Sequence, residues 1–198
     1  DEGPGWTMHL GDCIEGMRSL ADDSVDVTIT DPPYEGESHT LGRRTKIGSN
    51  VLAGRGRMSW KDRAAMGDSI ATAAPLPFAA ITEPQREAST REIARVTRRW
   101  DLVFCQVEAS QRWAKSFTAA NIDYVRTMVW VKPDGQPQFT GDRPGVGYES
   151  IVVAHRKGRK RWNGGGRTGV FTFAKFWGDK GAGPAPHPTT KPLPLMLE

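Results

Sequence analysis

Short apolar runs alternate with stretches of helical periodicity along most of this chain. Val25-Asp26-Val27-Thr28-Ile29-Thr30 reads as a buried strand, closed by Asp31-Pro32-Pro33-Tyr34. Before it, Trp6-Thr7-Met8-His9-Leu10 predicts a short strand ending at Gly11-Asp12, then a short helix with Ile14, Met17 and Leu20 on one face. Thr82 followed by Gln85 predicts a capping box with Pro84 in the first turn. That helix is expected to run to about Arg99, burying Ile93 and Val96. Leu102-Val103-Phe104-Cys105 reads as a strand, and residues 109–119 as a helix with Trp113 and Phe117 one turn apart. Residues 124–131 and 148–154 predict two more strands around a Gly/Pro-rich link, and Val170-Phe171-Thr172-Phe173 predicts another. Residues 35–75 show little periodicity and carry Gly36, Gly42, Gly48, Gly54, Gly56 and Gly67, so they read as a long, mobile, mildly basic loop. No internal repeat is visible.

This alternation predicts an α/β fold: an open, mostly parallel sheet with helices on both faces. The last two long strands, joined without a helix, predict an antiparallel pair at one edge. Ligands of such sheets bind beyond the carboxyl ends of the strands. Asp12 and Asp31 both fall at predicted strand ends and are expected to face one crevice.

Composition narrows the class. The 198 residues suffice for one domain with a core, and the 37% hydrophobic and 25% charged content is that of a soluble protein. No apolar stretch approaches membrane-spanning length, and Asp-Glu-Gly-Pro-Gly is no signal peptide. Cys13 and Cys105 form no C-x-x-C pair, which points to a reducing, cytoplasmic compartment. His9, His39, His155 and His187 lack zinc-like spacing, so no metal site is expected.

Charge is divided along the chain. Residues 1–34 hold eight acids and one base, Arg18, for −7, so the remainder carries +11 of the net +4. Between 156 and 180 there are eight bases (Arg156, Lys157, Arg159, Lys160, Arg161, Arg167, Lys175, Lys180) against one acid, Asp179. Such a cluster is a footprint for a phosphate backbone, the alternative being a solvated basic loop.

The candidate chemistry sits in Asp31-Pro32-Pro33-Tyr34. The prolines have no N–H and a fixed φ, which leaves their carbonyls available as acceptors. A carboxylate and a carbonyl can together accept both hydrogens of an exocyclic amine, and Tyr34 can stack on the base that carries it. The alternative is a strand-ending turn.

With Gly11-Asp12-Cys13 and His187-Pro188-Thr189-Thr190-Lys191-Pro192, this tetrapeptide resembles the β group of DNA amino-methyltransferases. That family transfers a methyl group from S-adenosylmethionine to adenine N6 or cytosine N4. The resemblance implies a Rossmann-like methyltransferase sheet, and a division into a catalytic core (1–155), a basic target-recognition segment (156–185) and the start of a cofactor segment (186–198). It implies that Asp31, Pro32, Pro33 and Tyr34 are catalytic, acting on a base flipped out of double-stranded DNA. It places Asp12, Cys13, Asp31, His187, Thr189 and Lys191 at the cofactor. For Asp12 the alternative is a helix N-cap, and for 187–192 a proline-bounded turn that starts a helix at Leu193.

Arg43 and Arg44, in the loop after the catalytic motif, and Arg159, Lys160, Arg161 and Arg167 are the implied DNA contacts. Trp130-Val131-Lys132-Pro133 and Gly147-Tyr148-Glu149-Ser150 resemble motifs lining the base pocket, with buried edge-strand aromatics as the alternative. The family more often has serine in place of Asp31 for cytosine, so adenine leads. An RNA methyltransferase and a non-catalytic DNA-binding remnant are the competing classes. Many relatives dimerise, and many serve restriction–modification. The family's F-x-G-x-G cofactor loop should follow the H-P-T segment. Glu198 falls in what reads as the helix leading to it, so the C-terminal part is expected to be missing.

Overall fold

The computed structural model describes residues 2–36, 45–47, 70–72, 78–135, 144–175 and 189–198. Two compact units are present. The first comprises residues 1–32, 81–130 and 149–171, and the second 33–80, 131–148 and 172–198.

The first unit is built on a five-stranded mixed sheet. Its strands are β3 (Val25–Thr30), β6 (Thr97–Cys105), β7 (Asp123–Val131), β8 (Tyr148–His155) and β9 (Val170–Thr172), in the order β3-β6-β8-β7-β9. β3 runs parallel to β6, with Thr28 opposite Asp101 and Thr30 opposite Val103. β8 runs antiparallel to β6, pairing Trp100 with His155 and Cys105 with Ser150. The sheet is therefore mixed and not mostly parallel. The predicted strand 6–10 shrinks to β2 (Trp6–Thr7), which pairs antiparallel with β1 (Glu2–Gly3) in a separate ribbon outside the main sheet.

Three helices accompany these strands: α1 (Cys13–Arg18), α2 (Glu83–Val96) and α3 (Ser110–Ala119). The capping box at Thr82 and Gln85 forms as predicted, satisfying N–H groups that the first helical turn leaves without partners. α2 stops at Val96, short of Arg99, because Thr97 is already extended and begins β6. Along β6, Asp101, Val103 and Cys105 alternate onto one face. Val103 and Cys105 pack there with Ile93 of α2, Trp113 and Phe117 of α3, and Val152 and Ala154 of β8. Trp113 and Phe117 lie one turn apart, as expected, with ring centroids at 6.4 Å. Arg95 ties α1 to α2. Its guanidinium donates to the carbonyls of Met17 (2.7 Å) and Leu20 (2.8 Å) and pairs with Asp22 and Glu92.

β3 departs from its predicted burial. Thr28, not Val27, faces inward, bonding the Thr97 hydroxyl at 2.6 Å. Val27 and Ile29 are 40% and 49% exposed, and β3 is the edge of the sheet among the described residues. Periodicity alone cannot say which set of alternating side chains meets the core.

In the second unit, β4 (Thr45–Ile47) and β5 (Ile70–Thr72) pair antiparallel. The stretch 35–75, read as a long, mobile loop, thus contains a two-stranded ribbon, and apart from Glu35 and Gly36 its other residues lie outside the described set. Lys132 N–H donates to Gly147 O at 2.7 Å within the link between β7 and β8. The Asp134 carboxylate accepts from Lys175 N–H at 3.0 and 3.1 Å. The last described helix, α4 (Leu193–Met196), starts at Leu193, where the alternative reading of 187–192 put a helix start, and buries Leu195.

Asp101 makes folding pH-dependent. It is 1% exposed, on the core face of β6, and its Oδ1 has no hydrogen-bond partner among the described residues. Burial pushes its carboxyl up to about 7 from 3.8, partly opposed by a hydrogen bond with Thr97. The folded state therefore holds this proton more tightly than the unfolded chain. The stabilisation is complete below about pH 4 and is lost as pH rises to about 7, a difference on the order of 4 kcal/mol at most. Asp101→Asn should remove that slope. Relative to wild type, the variant should gain stability between about pH 4 and pH 8 in urea denaturation. A constant difference across that range would show that Asp101 does not titrate there.

Candidate active site

Asp31 follows the last residue of β3, so the parallel pairing with β6 fixes where its backbone leaves the sheet. Its side chain is exposed, Pro32 is half-buried and Pro33 exposed. Tyr34 is half-buried and Glu35, next in sequence, is 4% exposed, so the motif runs from a solvent-exposed residue into a packed segment. Within the second unit, Lys191 Nζ donates to the Tyr34 hydroxyl at 3.4 Å and lies 5.4 Å from the ring centroid. The structure thus joins one residue of the D-P-P-Y motif to one of the H-P-T segment. Thr189 is exposed, and His187 lies outside the described residues.

Asp12 takes the helix-capping alternative. Its Oδ1 accepts from Ile14 N–H at 2.8 Å and Glu15 N–H at 3.1 Å, at the start of α1. Its predicted place at a strand end does not hold, since β2 ends at Thr7 and belongs to the N-terminal ribbon. Oδ2 makes no hydrogen bond among the described residues and stays open to a ligand. Cys13 is exposed on α1. Of the middle motifs, Trp130 is 2% exposed and is a core residue of the first unit, on β7, which lies between β8 and β9 and is not the edge strand its alternative reading supposed, whereas Tyr148 is 40% exposed.

The basic segment is pinned, a feature its composition did not show. Arg156 pairs with Asp23. Lys157 Nζ donates to the side chain of Asn121, which sits at φ 63° beyond the end of α3. Lys160 pairs with Asp123 at 2.7 Å and holds that carboxyl below the usual range. Trp100, 7% exposed, donates its Nε1–H to Arg161 O at 2.7 Å. Its ring meets His155 and Trp162 edge-on, with centroids at 4.3 and 5.0 Å. Trp162, an aromatic in a run of cations, was the one signal of this anchor. The Arg159 and Arg161 side chains are exposed and make no ion pair among the described residues. Arg167 is exposed as well, while Arg43 and Arg44 lie outside the described residues.

No family model matches the chain, and no curated protein matches it. Solved structures do. PvuII DNA methyltransferase, described as cytosine-N4-specific, aligns over 96% of this chain and 67% of its own, with 11% identity and a TM-score of 0.60. The M1.HpyAVI–SAM complex aligns over 92% of this chain and 68% of its own, with 16% identity and a TM-score of 0.53. Against a DNA modification methylase from Thermus thermophilus the span is 53% of that chain, so the sequence covers about half to two thirds of the structures it matches. The likeness establishes a methyltransferase-like α/β fold. Among the described residues no helix is long and apolar enough to cross a membrane.

The two thiols should be chemically distinct. Cys105 is 2% exposed, and burial together with the nearby Glu149 charge pushes it up to about 12. Titration of the native protein with a disulfide reagent should label Cys13 at once and Cys105 only after denaturant is added. Two equivalents reacting equally fast under native conditions would show that the core opens at β6.

Proposed function

We propose that the chain is the catalytic part of an S-adenosylmethionine-dependent DNA amino-methyltransferase acting on adenine N6. The observation that carries this reading is the D-P-P-Y motif at the end of β3, in a fold shared with DNA methyltransferases. The fold does not choose the base, because one of the matching structures is described as cytosine-N4-specific. Asp31 favours adenine. Cytosine N4 is the second reading, supported by that shared fold.

The donor set suits the cofactor chemically. Asp12 Oδ2 and the exposed Asp31 carboxylate complement a cationic sulfonium and a ribose or ammonium donor. When bound, the sulfonium supplies an electrophilic methyl group. The chain's own residues hold and orient the amine. Asp31 and the Pro32 carbonyl accept its two hydrogens, which directs the nitrogen lone pair away from the ring. Asp31 or water takes the proton that the amine gives up as the new N–C bond forms. Neither cysteine is needed as a nucleophile, consistent with the buried, protonated Cys105. Double-stranded DNA is the partner, the cell interior is the compartment, and a homodimer is the assembly the family resemblance implies.

Asp31→Ala in the full-length protein should abolish methyl incorporation into duplex DNA while preserving the fold, since the side chain is exposed and outside the sheet. Mass spectrometry of the nucleosides made by wild type should show N6-methyladenine. N4-methylcytosine would move the reading to cytosine, and activity of the variant within a few-fold of wild type would remove Asp31 from the mechanism.

The pinned lysines refine which cations meet phosphate. Arg159→Ala and Arg161→Ala should each reduce the log–log salt slope of DNA binding by roughly 0.9. Lys160→Ala should change that slope less, because its ammonium is already paired with Asp123. Equal slopes for all three variants and wild type would make the segment a solvated surface.

A further inference from the structure

The position of Lys191 relative to Tyr34 is more specific than a general proximity. The ammonium is much closer to the hydroxyl, at 3.4 Å, than to the ring centroid, at 5.4 Å. It therefore sits past the hydroxyl end of the ring and not over its face. A lysine ammonium has only donors, so the phenol oxygen accepts from it. Both side chains are half-buried. Each is attached to a stiff stretch of backbone. Tyr34 follows Pro32-Pro33 and precedes the buried Glu35. Lys191 precedes Pro192, which restricts its own backbone, and Pro192 leads into α4, whose Leu195 is 7% exposed. A cation tethered in this way restrains the tilt of the ring while leaving its faces clear of the ammonium.

We propose that Lys191 is a positioning residue for Tyr34: it fixes the attitude of the phenol ring so that one face is presented to the extruded base. The inference rests on the nucleobase reading above and adds to it the residue that prepares the stacking platform. It also gives Lys191 a role different from that of a cofactor ligand.

The test uses the full-length protein with Lys191→Met, Lys191→Arg, Tyr34→Phe and the Lys191→Met/Tyr34→Phe double variant. A duplex carrying 2-aminopurine at the target position reports extrusion by its fluorescence, steady-state methylation gives KM and kcat, and calorimetry gives cofactor affinity. Lys191→Met should lower the fluorescence gain and raise KM for DNA about tenfold, with cofactor affinity within about twofold. Lys191→Arg should restore most of the loss, because it retains a cationic donor. Tyr34→Phe should reproduce the Lys191→Met defect, and the double variant should be no worse than either single one, since both remove the same contact. Additive losses, or cofactor affinity weakened about tenfold with extrusion unchanged, would overturn the proposal. Wild-type protein that neither methylates nor extrudes the base would instead defeat the methyltransferase reading. The pairing is then decided by a denaturation double-mutant cycle without DNA: coupling between the two substitutions upholds it, and strict additivity overturns it.

Discussion

The first unit depends on the strand β6, paired along both edges and packed on one face. One edge pairs parallel with β3, the other antiparallel with β8, and one face packs against α2 and α3. The parallel pairing requires a crossover, supplied here by α2, which passes into β6 with no intervening loop. Because β3 is held only on its β6 side among the described residues, the place where Asp31 leaves the sheet is set by that one ladder. Asp101, at the middle of β6 on the packed face, is buried as a consequence.

Local signals were the legible part of the fold. Thr82 and Gln85 specify a helix start through side chains three residues apart, and the strands at β7 and β8 announce themselves by runs of apolar residues. What depended on distant partners was not legible. Val25, Val27 and Ile29 have the period of a buried face, yet Thr28 is turned inward because Thr97 waits across the ladder. The short β4 and β5 strands lack periodicity of their own and exist by pairing with each other. The end of α2 was misplaced by three residues, because Thr97-Arg98-Arg99 fits the helical pattern while the sheet claims it.

The candidate site divides along the same line. From residue types Asp-Pro-Pro-Tyr could be read as amine chemistry or as a strand-ending turn, and its predicted position directly after a strand is the part the structure displays. Asp12 could be read two ways, and the helix cap is the one the backbone displays. The Lys191–Tyr34 contact joins residues 157 positions apart, and nothing local announces it. The paired state of Lys157 and Lys160 was equally hidden, since formal charge does not reveal which cations have found a partner.

Those pins on the basic segment have a further consequence. Glycine-rich basic stretches are commonly disordered when free, and a ligand that orders them must compensate for the lost chain entropy. Here Asp23, Asn121, Asp123 and the indole of Trp100 hold residues 156–161 in place, and Gly164-Gly165-Gly166 form only a short span beyond. The ordering cost is thus met during folding and not at the moment of contact. Whatever polyanion meets this surface finds Arg159 and Arg161 projecting from a preorganised edge, so their charges act with little conformational penalty.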